Sequence, residues 1–415
     1  MRRHLTVVAV LVAAVALAEE PPESWADPTL QDALAAARIV VRGHVQAGEP
    51  GESEPRLAVE KVIAGNGTPG VSLPLWGTKR PASLDNYLAP LRPGDEGIFI
   101  LRQTGDPGKA RLELPTPSYG AFVIRSGFVG ASVRDTAVRV QMKAEAYETF
   151  LAQAWAHAHE APADAAFLDS CRATLGALDP KARESSVAAH IALEGLAFGA
   201  QEKDAALVLR FGRAPAFQVR VSAARVLERA GGGDAGEALL HLALDDPDPV
   251  VQAYALGSLG RVKPIPSDAV PRILAKVKEL KAEATSLHVD VYDPRTNAAP
   301  APMVAAFETL RALGGGEAAV GPALDLLAKD DADTLVAACL HLAKMKAKDK
   351  ALAIAEKMRP AKYPYTFSNE TIAKLLEELT DVAIGPDRDA WIQHLKDGGS
   401  PDVKPKGPTE RQPPR

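Results

Sequence analysis

The sequence predicts an α+β chain in two unlike parts, a small antiparallel β-barrel followed by an all-α stack of helix pairs. Three observations carry this. Between Arg38 and Val133, short β-branched and aromatic runs alternate with Gly and Pro punctuation, the pattern of a small all-β unit. Beyond residue 164 the apolar period shifts from two to about 3.6. One helical phrase is also written twice: Val219, Arg220, Ala223 and Leu227 recur as Val251, Gln252, Ala255 and Leu259, an offset of 32. Helix pairs this short cannot bury their apolar faces alone, so each must lean on the next.

Composition agrees. Aromatic residues make up only 5% of the 415 positions, which suits close-packed Ala- and Leu-rich helices better than a sandwich of large strands. The net charge of −5 gives no basic footprint, so nucleic acid and anionic lipid are not expected partners.

Residues 1–18 read as a secretory signal peptide. Arg2 and Arg3 precede the apolar core Leu5 to Leu17, and Ala16-Leu17-Ala18 gives the A-x-A cleavage pattern. That core is too short to span a bilayer, which takes roughly 18 or more apolar residues. Export of a chain without a membrane span, to the periplasm or medium, is therefore expected. Cys171 and Cys339, both at helical apolar positions, are expected to be buried free thiols.

After a leader at 19–26, Leu30 to Ala37 reads as a short helix opening the β unit at 27–140. Strands are expected at Ile39 to Val45, Arg56 to Ile63, Val71 to Trp76 and Gly97 to Leu101, the last covered on both faces. Tyr119 to Ile124 and Phe128 to Val133 make a hairpin around Arg125-Ser126-Gly127. Residues 141–163 are expected to be a connecting helix and linker, buttressing both halves. The helical array fills 164–380, a capping helix 381–396, and a disordered Pro-rich tail 397–415.

Within the array, Ala235 to Leu244, Met303 to Leu313 and Thr334 to Met345 are helices. A step of 34 back from Val221, Ala223 and Leu227 reaches Val187, Ala189 and Leu193. Asp179-Pro180, Asp248-Pro249 and Ser368 are read as helix starts, and the glycines at 231–233 and 314–316 as helix ends.

The residues VRVSAARVLE and DDPDPVVQAYALGSLG resemble HEAT repeats, whose second helix carries V-R-x-x-A-x-x-A-L-G after an Asp-Pro turn. The resemblance implies a HEAT-type α-solenoid of about five repeats. The segments ALAAARIVVRGHV, AVEKVIAG, GDEGIFIL and YGAFVI resemble the OB-like, netrin-module-like domain of exported bacterial proteins. Leu379 to Trp391 is similar to the closing L-T-G, G-x-D, W phrase of exported HEAT proteins, with Asp381 in place of the Gly.

No zinc-protease, P-loop, nucleophile-elbow or dinucleotide motif is present, so no catalytic residue, metal or cofactor is expected. His157 and His159 are read as solvated, and the acidic runs 245–248 and 330–333 as helix caps. His288, Asp290, Tyr292 and Arg295, in a strand-like break in the helical pattern, and Tyr363 and Tyr365, at an aromatic turn, are the candidate partner-binding residues. The expected function is a non-catalytic protein-binding scaffold of the cell envelope. The alternatives are an enzyme or enzyme accessory like the lyase HEAT relatives, or a ligand carrier or inhibitor built on the barrel.

Overall fold

A computed structural model describes residues 30–48, 56–76, 91–104, 111–113, 120–132, 139–159, 165–282, 285–286, 298–299, 301–329, 331–360 and 366–398. It has the two-part α+β order read from the sequence. The signal peptide, the leader and the tail from 399 on lie outside the described residues.

The β part opens with helix α1 (Leu30–Ala36) and holds β1 (Ile39–Gln46), β2 (Arg56–Gly65), β3 (Ser72–Trp76), β4 (Glu96–Thr104), β5 (Arg111–Glu113), β6 (Ala121–Arg125), β7 (Phe128–Ser132) and β8 (Arg139–Lys143). The short β5 and β8 were not legible as strands. β1 pairs antiparallel with both β2 and β4, β2 pairs with β3, β3 runs parallel to β5, and β5 returns to β4. β4 also carries β6, which leads through β7 to β8.

Both faces of β1 and β4 are covered. Val40, Ile98 and Ile100 join the core shared with the helices, while Ile39, Val41, Phe99 and Leu101 fill a second core. Gly43 is dictated by close approach, because a Cβ there would sit 2.2 Å from the Ala58 carbonyl oxygen. The β1–β2 register shifts beside it, which lets the strand curl.

Helix α2 (Ala144–His159) buttresses both parts. It begins at 144 rather than 141, because residues 141–143 still belong to β8. An aromatic chain carries the contact: Tyr147 meets Phe122 edge-on at 5.4 Å, Phe150 stacks on Tyr147 at 5.9 Å, and Phe167 follows at 5.8 Å. On the sheet side, buried Glu148 accepts from Arg42 Nη1 at 3.1 Å and Lys61 Nζ at 2.5 Å.

The helical part comprises α3 (Ala165–Ala177), α4 (Ser186–Leu196), α5 (Ala205–Leu209), α6 (Phe217–Ala230), α7 (Gly233–Asp245), α8 (Pro249–Leu259), α9 (Ala269–Lys276), α10 (Pro302–Ala312), α11 (Val320–Leu326), α12 (Ala332–Lys344), α13 (Ala351–Glu356), α14 (Phe367–Thr380) and α15 (Arg388–Lys396). The even-numbered helices pack in sequence, α4 on α6, α6 on α8, α8 on α10, α10 on α12 and α12 on α14. The first odd-numbered helices follow one another likewise, α3 to α5 to α7 to α9.

Helix boundaries follow local chemistry, with two corrections. Asp248 caps α8 through Val250 N at 2.9 Å, with Pro249 at the first helical position. Gly231 and Gly314 end α6 and α10 at positive φ. Asp179, however, only closes a turn onto Lys181 N, and α4 waits until Ser186 behind a 3-10 turn. At α14 the cap is Thr366, which accepts from Asn369 N, rather than Ser368.

Asp381 ends α14 with φ 61°, a left-handed position that Asp tolerates better than most residues. Beyond it, Trp391 is fully buried and its Nε1 donates to Gly385 O at 2.7 Å.

Candidate functional site

The six residues expected to bind a partner, His288, Asp290, Tyr292, Arg295, Tyr363 and Tyr365, all lie outside the described residues. What is described is the base of the first segment, where Thr285–Ser286 pairs antiparallel with Ala298–Ala299.

The described residues gather polar chemistry elsewhere, between α4, α6 and α8. Four polar side chains that amphipathic patterning would leave in water are buried there: His190, Glu194, Ser222 and Arg225. Ser222 donates to Glu194 Oε1 at 2.9 Å. A carboxylate offers no proton, so Ser222 Oγ must accept from His190 Nδ1–H at 2.8 Å. This fixes the imidazole tautomer and leaves Nε2 as a lone pair, for which no partner exists among the described residues. Burial lowers the His190 pKa, with Glu194 opposing and Arg225 reinforcing, so the ring is neutral at pH 7. Arg225 lies 3.9 Å from Glu194 and over the Tyr254 ring at 4.7 Å.

Serine, histidine and a carboxylate suggest acyl transfer, but the order is wrong for it. The serine bridges the other two instead of facing a base, its proton is committed to Glu194, and it is 1% exposed. The group that reaches a cavity is His190.

That cavity, about 580 Å³, lies between the start of α4, the start of α6 and β8. Its wall holds Arg183, Ser186, His190, Gln218 and Gln141 among apolar residues, and no acidic side chain among the described residues lines it. Ser186 Oγ, one turn before His190, is buried without a partner. Gln141 adopts φ 45°, uncommon for a residue other than glycine. It also borders a second cavity of about 390 Å³ beside Arg125 and Phe128. Phe128 is 51% exposed. Gln141 is the residue common to the linings of both cavities.

No family model, curated protein or solved structure matches this chain.

Other expected sites are placed as follows. His157 is buried against Phe167 and Phe198, not solvated as expected, because helix α3 and the turn after α4 close over it. His159 stacks on Trp155 at the surface. Asp246, read as a cap, is instead a buried partner of Arg220 at 2.8 and 3.0 Å. Asp331 does cap, accepting from Thr334 N at 2.8 Å, and Asp330 lies outside the described residues. Both cysteines are buried and free, their thiols pushed up to about 11 and about 12 chiefly by burial. Among the described residues no cluster of three His, Cys, Asp or Glu side chains is placed to hold a metal, and no helix is long and apolar enough to cross a membrane.

Proposed function

We propose that this chain is an exported, non-catalytic binding module, an OB-like barrel followed by a HEAT-type solenoid, and that it seats a protein partner in the groove where the two meet. The pairing sequence β1, β2, β3, β5, β4 and back to β1 supports the barrel. Contacts between residues 32 apart support the solenoid: Arg172 with Asp204, Arg210 with the Leu178 carbonyl, and His190 with Ser222.

The observation that carries the binding site is the shared wall at Gln141. One cavity offers an exposed aromatic anchor, Phe128, and the next a floor of buried polar groups. Aromatic anchors beside convergent polar groups are what partner recognition uses. The test places a photo-crosslinking amino acid at 128, at 218 and, as a remote control, at 349, and exposes the full-length protein to native envelope extract. The same partner captured from 128 and 218 and not from 349 is the expected outcome. Equal capture from all three positions, or none from the groove, overturns the reading.

A further inference from the structure

The turn from β2 to β3 contains the chain's single Asn-Gly step, Asn66-Gly67. Both residues are exposed, and among the described residues neither the Asn66 amide nor the Gly67 N–H has a hydrogen-bond partner. An unbonded side-chain amide can swing toward the next backbone nitrogen, and a glycine there presents no Cβ to obstruct it. Asn369 is the contrast. It is buried, its Oδ1 accepts from Arg359 N at 2.7 Å, and its Nδ2 donates to the carbonyls of Arg359 and Pro386 at 3.2 and 3.3 Å.

Packing demands the glycine at 67. A Cβ there would lie 2.0 Å from Ile39 Cδ1 and 3.3 Å from Val62 Cγ2, and Ile39 is buried in the second core. Gly65, on the other side of Asn66, is fixed as firmly. It pairs with Ile39 of β1, adopts φ 81°, and a Cβ on it would lie 2.3 Å from the Arg38 carbonyl oxygen. The close approach of β2 to β1 that requires these two glycines leaves Asn66 unshielded between them.

We propose that Asn66 and Gly67 form a self-modification site whose conversion loosens this end of the sheet. The Gly67 nitrogen attacks Asn66 Cγ, and the new C–N bond closes a five-membered succinimide. The bond from Cγ to the amide nitrogen breaks, and that nitrogen takes up the proton lost by Gly67 and leaves as ammonia. Solvent water then opens the ring at one carbonyl to give aspartate or at the other to give isoaspartate, with no change of oxidation state. Either product adds one negative charge to the chain's net −5. Isoaspartate also inserts an extra backbone carbon ahead of Gly67, a residue seated so closely on Ile39 that even a methyl group has no room.

The full-length protein is aged in mildly alkaline buffer beside a synthetic peptide spanning residues 65–70, and mass-spectrometric peptide mapping follows position 66. Aspartate and isoaspartate should accumulate there in both, more slowly in mildly acid buffer because the attacking nitrogen must shed its proton. Asn66→Gln, which would need a larger ring, should stay intact, as should Asn369. Amide hydrogens of Ile39 to Val41 and Val62 to Gly65 should exchange faster in the aged protein than in the fresh one. Asn66→Asp, which has the charge without the extra carbon, should leave their exchange unchanged. An Asn66 that stays intact in the folded protein while the peptide converts overturns the proposal. So does conversion that leaves exchange in β1 and β2 unaltered, or equal acceleration in Asn66→Asp.

Discussion

His190 and Ser222 are 2.8 Å apart in space and 32 residues apart in sequence, the offset at which the Val-Arg phrase of α6 recurs in α8. At this step the side chains meet at 32, not at the 34 read from Val187, Ala189 and Leu193. The buried polar cluster is therefore bonded across neighbouring helices of the array, and losing one member strands the rest.

Ser222→Ala should destabilise the fold by about 1–3 kcal/mol, because His190 Nδ1 and Glu194 would both lose a buried partner. Urea denaturation measures this. A loss below about 0.5 kcal/mol would mean that water or a neighbour satisfies the pair.

Arg220 and Asp246 form a two-pronged buried pair whose guanidinium also holds the entry to α6. Arg220→Ala alone should cost about 3–5 kcal/mol, whereas Arg220→Met with Asp246→Leu should recover much of it, since the uncompensated charge is what hurts most. A double-mutant cycle reads the coupling, and additive losses would contradict it. At the position 32 residues on, Gln252 donates to the Asp246 carbonyl at 2.9 Å, so it too anchors this turn.

His341 is stacked on Phe307 at 4.5 Å, with Nε2 3.1 Å from the Gly316 carbonyl. Burial, reinforced by Arg311 and opposed by that carbonyl, pushes its pKa down to about 4. As pH falls below about 6.5 the unfolded chain takes a proton that the folded ring refuses until about pH 4. Stability should therefore drop by about 3 kcal/mol across that window through this residue, and buried His190 adds to the loss in the same direction. In His341→Gln the pH dependence of the urea midpoint should be visibly shallower, and an unchanged slope would refute the assignment.

Glu148→Gln should weaken the joint between β1, β2 and α2, because Arg42 and Lys61 both converge on that carboxylate. A loss of about 1–3 kcal/mol is expected. It should be accompanied by faster hydrogen exchange in α2 relative to α8, and uniform acceleration across the chain would argue against a local joint.

The α+β order, most of the strands and the repeated helix phrase were legible because they rest on apolar period, capping residues and Gly or Pro punctuation, all of which act over a few residues. Cys171 and Cys339 were placed correctly for the same reason, as small apolar positions on helical stripes. The burial of His157 and of Asp246 was not, since each depends on side chains from another helix closing over it. The cavity lined by Gln141, Arg183, His190 and Gln218 was invisible for that reason too, since these residues are unremarkable along the chain. Only packing brings His190, the start of α6 and Gln141 to the wall of one cavity, because a hydrogen bond between residues 32 apart has no local signature beyond the repeat that makes it possible.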